Sequence, residues 1–297
     1  MSTIAFIGLG HMGGPMAANL VQAGHRVIGF DLVPAALEQA RIDGLELADS
    51  AGQAAAAADV VITMLPNGKL VLDVYGEVLQ AARPGTLFID SSTIDVADAK
   101  AAAELAASAG HRALDAPVSG GVAGASAGTL AFMVGGGDED FEAARPLLEI
   151  MGAKVVHCGG AGVGQAAKIC NNMVLGISMI AVSEAFVLGE KLGLSHQAFF
   201  DVASNASAQC WSLTSYCPVP GPVPTSPANN DYEPGFATAL MRKDLGLAAN
   251  ALRVNGIDGR LGLLAAQIYE QFGEQHADRD FSAIVTDIRH RSEENQQ

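Results

Sequence analysis

The segment that most restricts how this chain can fold is GLGHMG, Gly8 to Gly13, which follows the apolar run Ile4 to Ile7 and opens the helical stretch Gly14 to Ala23. GxGxxG in a strand–turn–helix context is the fingerprint of a βαβ unit that holds a dinucleotide. Gly8 permits the tight turn, Gly10 lets backbone amides approach a pyrophosphate, and Gly13 allows the helix to pack closely on the strand. The helix N-terminus supplies free N–H groups and the positive end of its dipole. Pro15 fits the first turn, where no amide donor is missed. His11, inside the loop, reads as a filler rather than a catalyst.

A carboxylate is expected about 20 residues beyond such a loop, at the end of the second strand, to accept from the adenosine ribose hydroxyls. Asp31 stands 21 residues after Gly10. Its charge repels a 2′-phosphate, and the following Leu32 and Val33 offer no arginine to hold one, so NAD is favoured over NADP.

The rest of the first half repeats the same grammar. Apolar runs at Val27 to Asp31, Val60 to Met64, Leu87 to Asp90, Ala113 to Pro117, Leu130 to Val134 and Val155 to Cys158 are separated by Ala-rich helical stretches such as Ala51 to Ala58 and Val96 to Ser108. That is the pattern of βαβ units feeding a parallel sheet. After about Gly160 the strand signals stop. Helical patterns run from Val163 to Leu192 and then from His196, Phe236, Gly259 and Ser282. The expected architecture is an α/β Rossmann-like dinucleotide-binding domain over residues 1–161 followed by an all-α domain over 162–297. Between the later helices, Ser212 to Gly235 is too rich in proline for a helix and too aromatic for a plain linker. It reads as a packed loop near a pocket, with an ordinary surface loop as the alternative.

Composition narrows the function classes. Seventeen basic against thirty-two acidic residues give a net charge of −15, which disfavours phosphate backbones and leaves no basic stripe for nucleic acid. The four cysteines form no CxxC pair and no metal spacing with histidine, and read as reduced thiols in a cytoplasmic protein without a metal. The most apolar stretch, Met173 to Leu188, is interrupted by Ser178, Ser183 and Glu184 and reads as a buried core helix rather than a membrane span.

Three further loops fall at C-terminal strand ends, where open α/β sheets bind ligands. They are Met64 to Asn67, Asp90 to Thr93 and Ala116 to Gly121. In the last, Ser119 adds a hydroxyl to two glycines whose unhindered amides can form a nest for a carboxylate. A plain glycine turn explains the same residues.

Lys168 is the only formally charged side chain between Lys154 and Glu184, and Asn172 follows it at the i,i+4 spacing that shares a helix face. A buried lysine is costly unless paired or deprotonated, and desolvation makes it a usable general acid/base. A lysine snorkelling to the surface at the start of the helix fits equally well. Lys243, flanked by Arg242 and Asp244, reads by itself as part of a solvated face.

Four separated motifs, in order, resemble the β-hydroxyacid dehydrogenase family: GLGHMGGPMAANLVQAGHRVIGFD at the start, DAPVSGGVAGASAGTL from Asp115, GVGQAAKICNN from Gly162 and MRKDLGLA from Met241. The resemblance spans nearly the whole chain. It implies that Lys168 is the catalytic lysine, that Asn172 positions substrate, and that Ser119, Gly120 and Gly121 bind its carboxylate. It puts Leu65, Pro66 and Thr93 at cofactor-contacting positions, together with Leu9, His11, Met12 and Leu32, and places Lys243 beside both nicotinamide and substrate. The loop Cys210 to Phe236, with its Trp, Tyr, Pro-Gly and Gly-Phe landmarks, points within the family to 3-hydroxyisobutyrate as the small β-hydroxy acid oxidised. Tartronate semialdehyde and serine-like acids are the alternatives, and a non-catalytic dinucleotide-binding module is the reading from another class. The resemblance also implies a homodimer or homotetramer.

Overall fold

The computed structural model describes residues Met1 to Glu294 and divides into two compact units, Met1–Lys168 and Ile169–Gln297. The first is built on nine strands: β1 (Thr3–Ile7), β2 (Arg26–Phe30), β3 (Glu46–Leu47), β4 (Val60–Thr63), β5 (Leu87–Asp90), β6 (Arg112–Asp115), β7 (Val118–Ser119), β8 (Leu130–Gly135) and β9 (Gly152–Gly159). Its helices are α1 (Gly13–Gln22), α2 (Pro34–Ile42), α3 (Ala51–Ala56), α4 (Gly68–Ala81), α5 (Val96–Ser108), α6 (Gly121–Ala127) and α7 (Asp138–Met151). Then α8 (Val163–Lys191) starts in the first unit and continues as the opening helix of the second.

The strands run β3-β2-β1-β4-β5-β6-β8-β7, with β9 beside β8. From β3 to β6 every pairing is parallel, as the alternation of strands and helices predicts. The expectation of a parallel sheet fails beyond β6, where β8 lies antiparallel to both β6 and β7. The short β7 hydrogen-bonds β8 as an antiparallel partner across the seven-residue α6, in place of the helix of a parallel crossover.

Continuous apolar runs, rather than alternating ones, mark strands buried on both faces. In β1, Ile4 and Phe6 pack into one core with Met16, Leu20, Phe132 and Leu148, while Ala5 and Ile7 pack into the opposite one with Val71, Val78 and Phe88. Burying side chains such as Ile4 and Phe6 is worth about 1.5–3 kcal/mol each.

The second unit holds the remainder of α8 with α9 (His196–Ala203), α10 (Trp211–Thr214), α11 (Thr238–Val254), α12 (Arg260–His276) and α13 (Ile284–Glu294). One isolated antiparallel bridge, Ala237 to Asp280, joins two of its loops. Its core gathers Phe186, Met241, Leu245, Tyr269, Phe272 and Phe281. The proline-rich loop is packed into this core through Cys217, Val219, Ala228 and Tyr232. Ser226 Oγ donates to the Cys217 carbonyl, and Tyr232 Oη donates to that of Pro218 at 2.9 Å. Buried Asp280 anchors the end of the loop: its Oδ2 accepts from Tyr216 Oη at 2.8 Å and from the amides of Gly235 and Phe236 at 3.0 Å.

By length and composition, α8 is the one described helix apolar enough to cross a membrane, with a mean hydropathy of 1.7 over its apolar window. The sequence reading stopped short of this because it began at Met173, ten residues after the helix starts. Half of that window is buried within the protein.

Candidate active site

The register of the sheet aligns five strand ends. Ile7 pairs with Phe30 on one side and Thr63 on the other, Thr63 with Asp90, and Asp90 with Asp115. The residues that follow, Gly8, Asp31, Met64, Ser91 and Ala116, therefore lie in one row at the carboxyl edge. The crossover between β1 and β4 makes this the topological switch point, where open sheets bind ligands.

The glycine loop meets the requirements of a dinucleotide. Gly8 has φ +93°, and a Cβ there would stand 2.3 Å from the Met64 carbonyl oxygen. A Cβ on Gly13 would stand 1.9 Å from the Gly8 carbonyl oxygen, so helix α1 can approach the strand only through a glycine. At Gly10 nothing lies within 4 Å, which leaves open space beside the backbone where a pyrophosphate would approach. No side chain caps the start of α1. That arrangement leaves the helix N-terminus available to an anion.

Asp31 ties the loop to the end of β2. Its Oδ2 accepts from the Leu9 amide at 2.6 Å and its Oδ1 from the Val33 amide at 2.8 Å. Each oxygen keeps a lone pair for a ribose hydroxyl. Leu9 is committed elsewhere, with its amide on Asp31 and its side chain in the core, whereas His11 and Leu32 are exposed and Met12 half-buried.

The next two loops are joined by hydrogen bonds. The Leu65 amide donates to Ser92 Oγ at 2.8 Å, and Ser92 Oγ in turn donates to Asp90 Oδ1 at 2.6 Å. Thr63 Oγ1 donates to the same oxygen at 2.7 Å. Pro66 is exposed and Thr93 half-buried at this edge. Burial pushes the Asp90 carboxyl up to about 6, opposed by the bonds from Ser92 and Thr63. Its Oδ2 finds no hydrogen-bond donor among the described residues.

Ser119 ends β7, and Gly120 and Gly121 turn the chain into α6 with φ of +134° and +62°. Two successive backbone conformations of that kind exclude L side chains at low cost. Lys168 lies in the second turn of α8 and is only 6% exposed, so its amine is not a surface charge. The snorkelling alternative required that exposure.

In the second unit, Asn172 is buried at 1% exposure. Its Nδ2 donates to Asp244 Oδ2 at 2.5 Å, and its Oδ1 accepts from Asn171 Nδ2 at 2.9 Å. Asp244 corrects the expectation of a solvated face around Lys243. Arg242 does pair with Glu270 at the surface, but Asp244 is buried, with Lys243 Nζ 3.8 Å from its Oδ1. The missed signal is the spacing Met241, Asp244, Leu245, Ala248, which puts Asp244 on the apolar stripe of α11. Asp115 carried no role in the sequence because the expected strand ran on to Pro117, whereas β6 ends at Asp115.

A sheet of this order, with a glycine loop and a carboxylate at the end of β2, is the architecture of a dinucleotide-dependent oxidoreductase. Residues 3–160 match the NAD binding domain of 6-phosphogluconate dehydrogenase, and residues 162–288 match the family described as NAD-binding of NADP-dependent 3-hydroxyisobutyrate dehydrogenase. A probable 3-hydroxyisobutyrate dehydrogenase of Mycobacterium tuberculosis is 59% identical over 293 residues, covering 99% of this chain and 100% of the relative. The 3-hydroxyisobutyrate dehydrogenase of Pseudomonas aeruginosa is 50% identical, covering 96% and 97%. A solved structure of the Mycobacterium tuberculosis 3-hydroxyisobutyrate dehydrogenase with L-serine superposes with a TM-score of 0.95 at 60% identity, covering 97% of this chain and 99% of that one. The chain belongs to the 3-hydroxyisobutyrate dehydrogenase family.

Proposed function

We propose that this chain is a cytoplasmic NAD-dependent dehydrogenase that oxidises (S)-3-hydroxyisobutyrate to methylmalonate semialdehyde, a step of valine breakdown, with Lys168 as general acid/base. The observation that carries the reading is a buried lysine placed two turns into a helix whose start is bonded to the strand ends of the dinucleotide unit. The names of its full-length relatives support the substrate.

With its pyrophosphate held at the glycine loop, NAD would supply the hydride acceptor. Lys168, as the neutral amine, takes the proton of the substrate hydroxyl, so that no full negative charge builds on that oxygen as the carbonyl forms. In the reverse direction its ammonium returns the proton. The Ser119 hydroxyl and the amides at Gly120 and Gly121 hold the substrate carboxylate and so fix which carbon faces the cofactor. Asn172 and Lys243 are proposed as substrate contacts on the strength of the resemblance. Asp31, followed in sequence by Leu32 and Val33 rather than an arginine, supports NAD over NADP, although one matching family is described as NADP-dependent. The apolar side chains Val174 and Leu188, both 60% exposed on α8, support a homodimer or homotetramer.

A second reading, a serine-like β-hydroxy acid as substrate, is favoured by the L-serine with which the Mycobacterium tuberculosis relative was solved. Reduction of tartronate semialdehyde is the further sibling specificity. A substrate panel read by NADH or NADPH absorbance separates them. The expected result is the highest kcat/KM with (S)-3-hydroxyisobutyrate and NAD. A preference for L-serine overturns the substrate, and equal turnover with NADP overturns the cofactor assignment.

A further inference from the structure

Two groups hold the first turn of α8 without a part in the chemistry above. Asp115, buried at the end of β6, accepts from the Gly162 amide through Oδ1 at 2.7 Å and from the Gln165 amide through Oδ2 at 2.8 Å. It serves as an N-cap supplied from a distant strand, satisfying amides that the helix itself cannot. The Gln165 side chain, 0% exposed, is engaged at both ends: Nε2 donates to the Ser92 carbonyl at 2.7 Å and Oε1 accepts from the Ile94 amide at 3.1 Å. Those two backbone groups flank Thr93. Gln165 and Lys168 are three residues apart and so lie on one side of the helix.

The close approach that this arrangement needs is built into two glycines. A Cβ on Gly164 would stand 2.4 Å from the Met133 carbonyl oxygen and 2.7 Å from that of Asp115. A Cβ on Gly135 would stand 2.5 Å from Asp115 Oδ1 and 2.7 Å from the Gly164 amide. The start of α8 is thus pressed onto β6 and β8 with no room for a side chain between them.

We propose that Gln165 and Asp115 are positioning residues for Lys168: the carboxylate cap and the amide clamp fix the first turn of α8 against the Ser91 to Ile94 segment, and so set the position of the amine carried on the next turn. The proposal rests on the assignment of Lys168 as acid/base. A group that must meet a reacting hydroxyl tolerates little displacement, and a misplacement of about 1 Å costs on the order of a hundredfold in rate. Without the clamp, the first turn is held by the Asp115 cap and the glycine contacts alone, which are not expected to hold the amine to that tolerance.

The test is a double-mutant cycle on the full-length protein with NAD and (S)-3-hydroxyisobutyrate. Gln165→Met keeps the length of the side chain and removes both hydrogen bonds. It is expected to lower kcat at least about tenfold while KM for NAD changes by a smaller factor, because the Gly8 to Gly13 loop is untouched and Thr93 is the one assigned cofactor position beside the clamp. In a Lys168→Ala background the same substitution is expected to cost less than about twofold, since there is no amine left to position. Gln165→Asn, which keeps the amide on a side chain one methylene too short to reach both backbone groups, is expected to fall between native and Gln165→Met and serves if the methionine variant does not fold. Equal losses with and without Lys168 mean that Gln165 acts through the fold alone and overturn the proposal. Near-native turnover of Lys168→Ala by itself overturns the acid/base assignment, and this inference with it.

Discussion

The two units place their polar groups by different means. In the first, backbone does the placing: strand ends in register bring Gly8, Asp31, Met64, Ser91 and Ala116 into a row, and glycines let segments touch. In the second, side chains do it, as Asn172 on α8 meets Asp244 on α11 across 72 residues of sequence. The first arrangement tolerates almost no added atoms at its contacts. The second is sensitive to the loss of a donor, because a buried carboxylate that loses one keeps its desolvation cost.

The largest expected effect falls on chemistry rather than on either scaffold. Lys168→Ala should keep NAD binding and lose at least about a hundredfold in kcat, the low end of general acid–base contributions. Steady-state kinetics beside an NAD titration check it, and near-normal turnover sinks the assignment. Next comes the backbone contact. Gly13→Ala puts a methyl 1.9 Å from the Gly8 carbonyl oxygen and should cost about 3 kcal/mol by denaturant unfolding, together with most NAD affinity.

Asn172→Leu should cost about 1–3 kcal/mol by leaving Asp244 buried without its donor. The double variant with Asp244→Leu should recover part of that loss, and no recovery would mean that the pair does not couple. Asp90→Asn should flatten the pH profile of stability. A carboxyl raised to about 6 when folded contributes stability that is fully present below about pH 4 and is lost as the pH rises through about 6. Thermal melts between those values compare the two proteins, and an unchanged slope rules out Asp90 as the group responsible. The smallest effect is the sharpest contrast with Gly13. Gly10→Ala, with open space around it, should change stability by less than about 0.5 kcal/mol and yet weaken NAD binding.

The contrast also explains what could be read in advance. GLGHMG, Asp31 and the strand-closing loops were legible because a βαβ unit ties function to short local patterns at fixed spacing. The mixed end of the sheet was not, since a two-residue strand such as Val118–Ser119 carries almost no periodicity. Asp244 lay in plain view on the stripe of α11, but the charged Arg242 and Lys243 just before it suggested solvent.

By itself, the sequence determined the Rossmann-like first half, the helical second half, and a list of groups able to bind a dinucleotide and move a proton. Local rules suffice for these, because hydrophobic periodicity and glycine spacing act within a few residues. Only the tertiary structure decided that Lys168 is buried rather than snorkelling and that Asn172 is joined to Asp244. It alone put Asp115 and Gln165 around the first turn of α8. Burial and hydrogen-bond partnership depend on segments 47 to 73 residues apart in the chain, a separation over which no local pattern carries information.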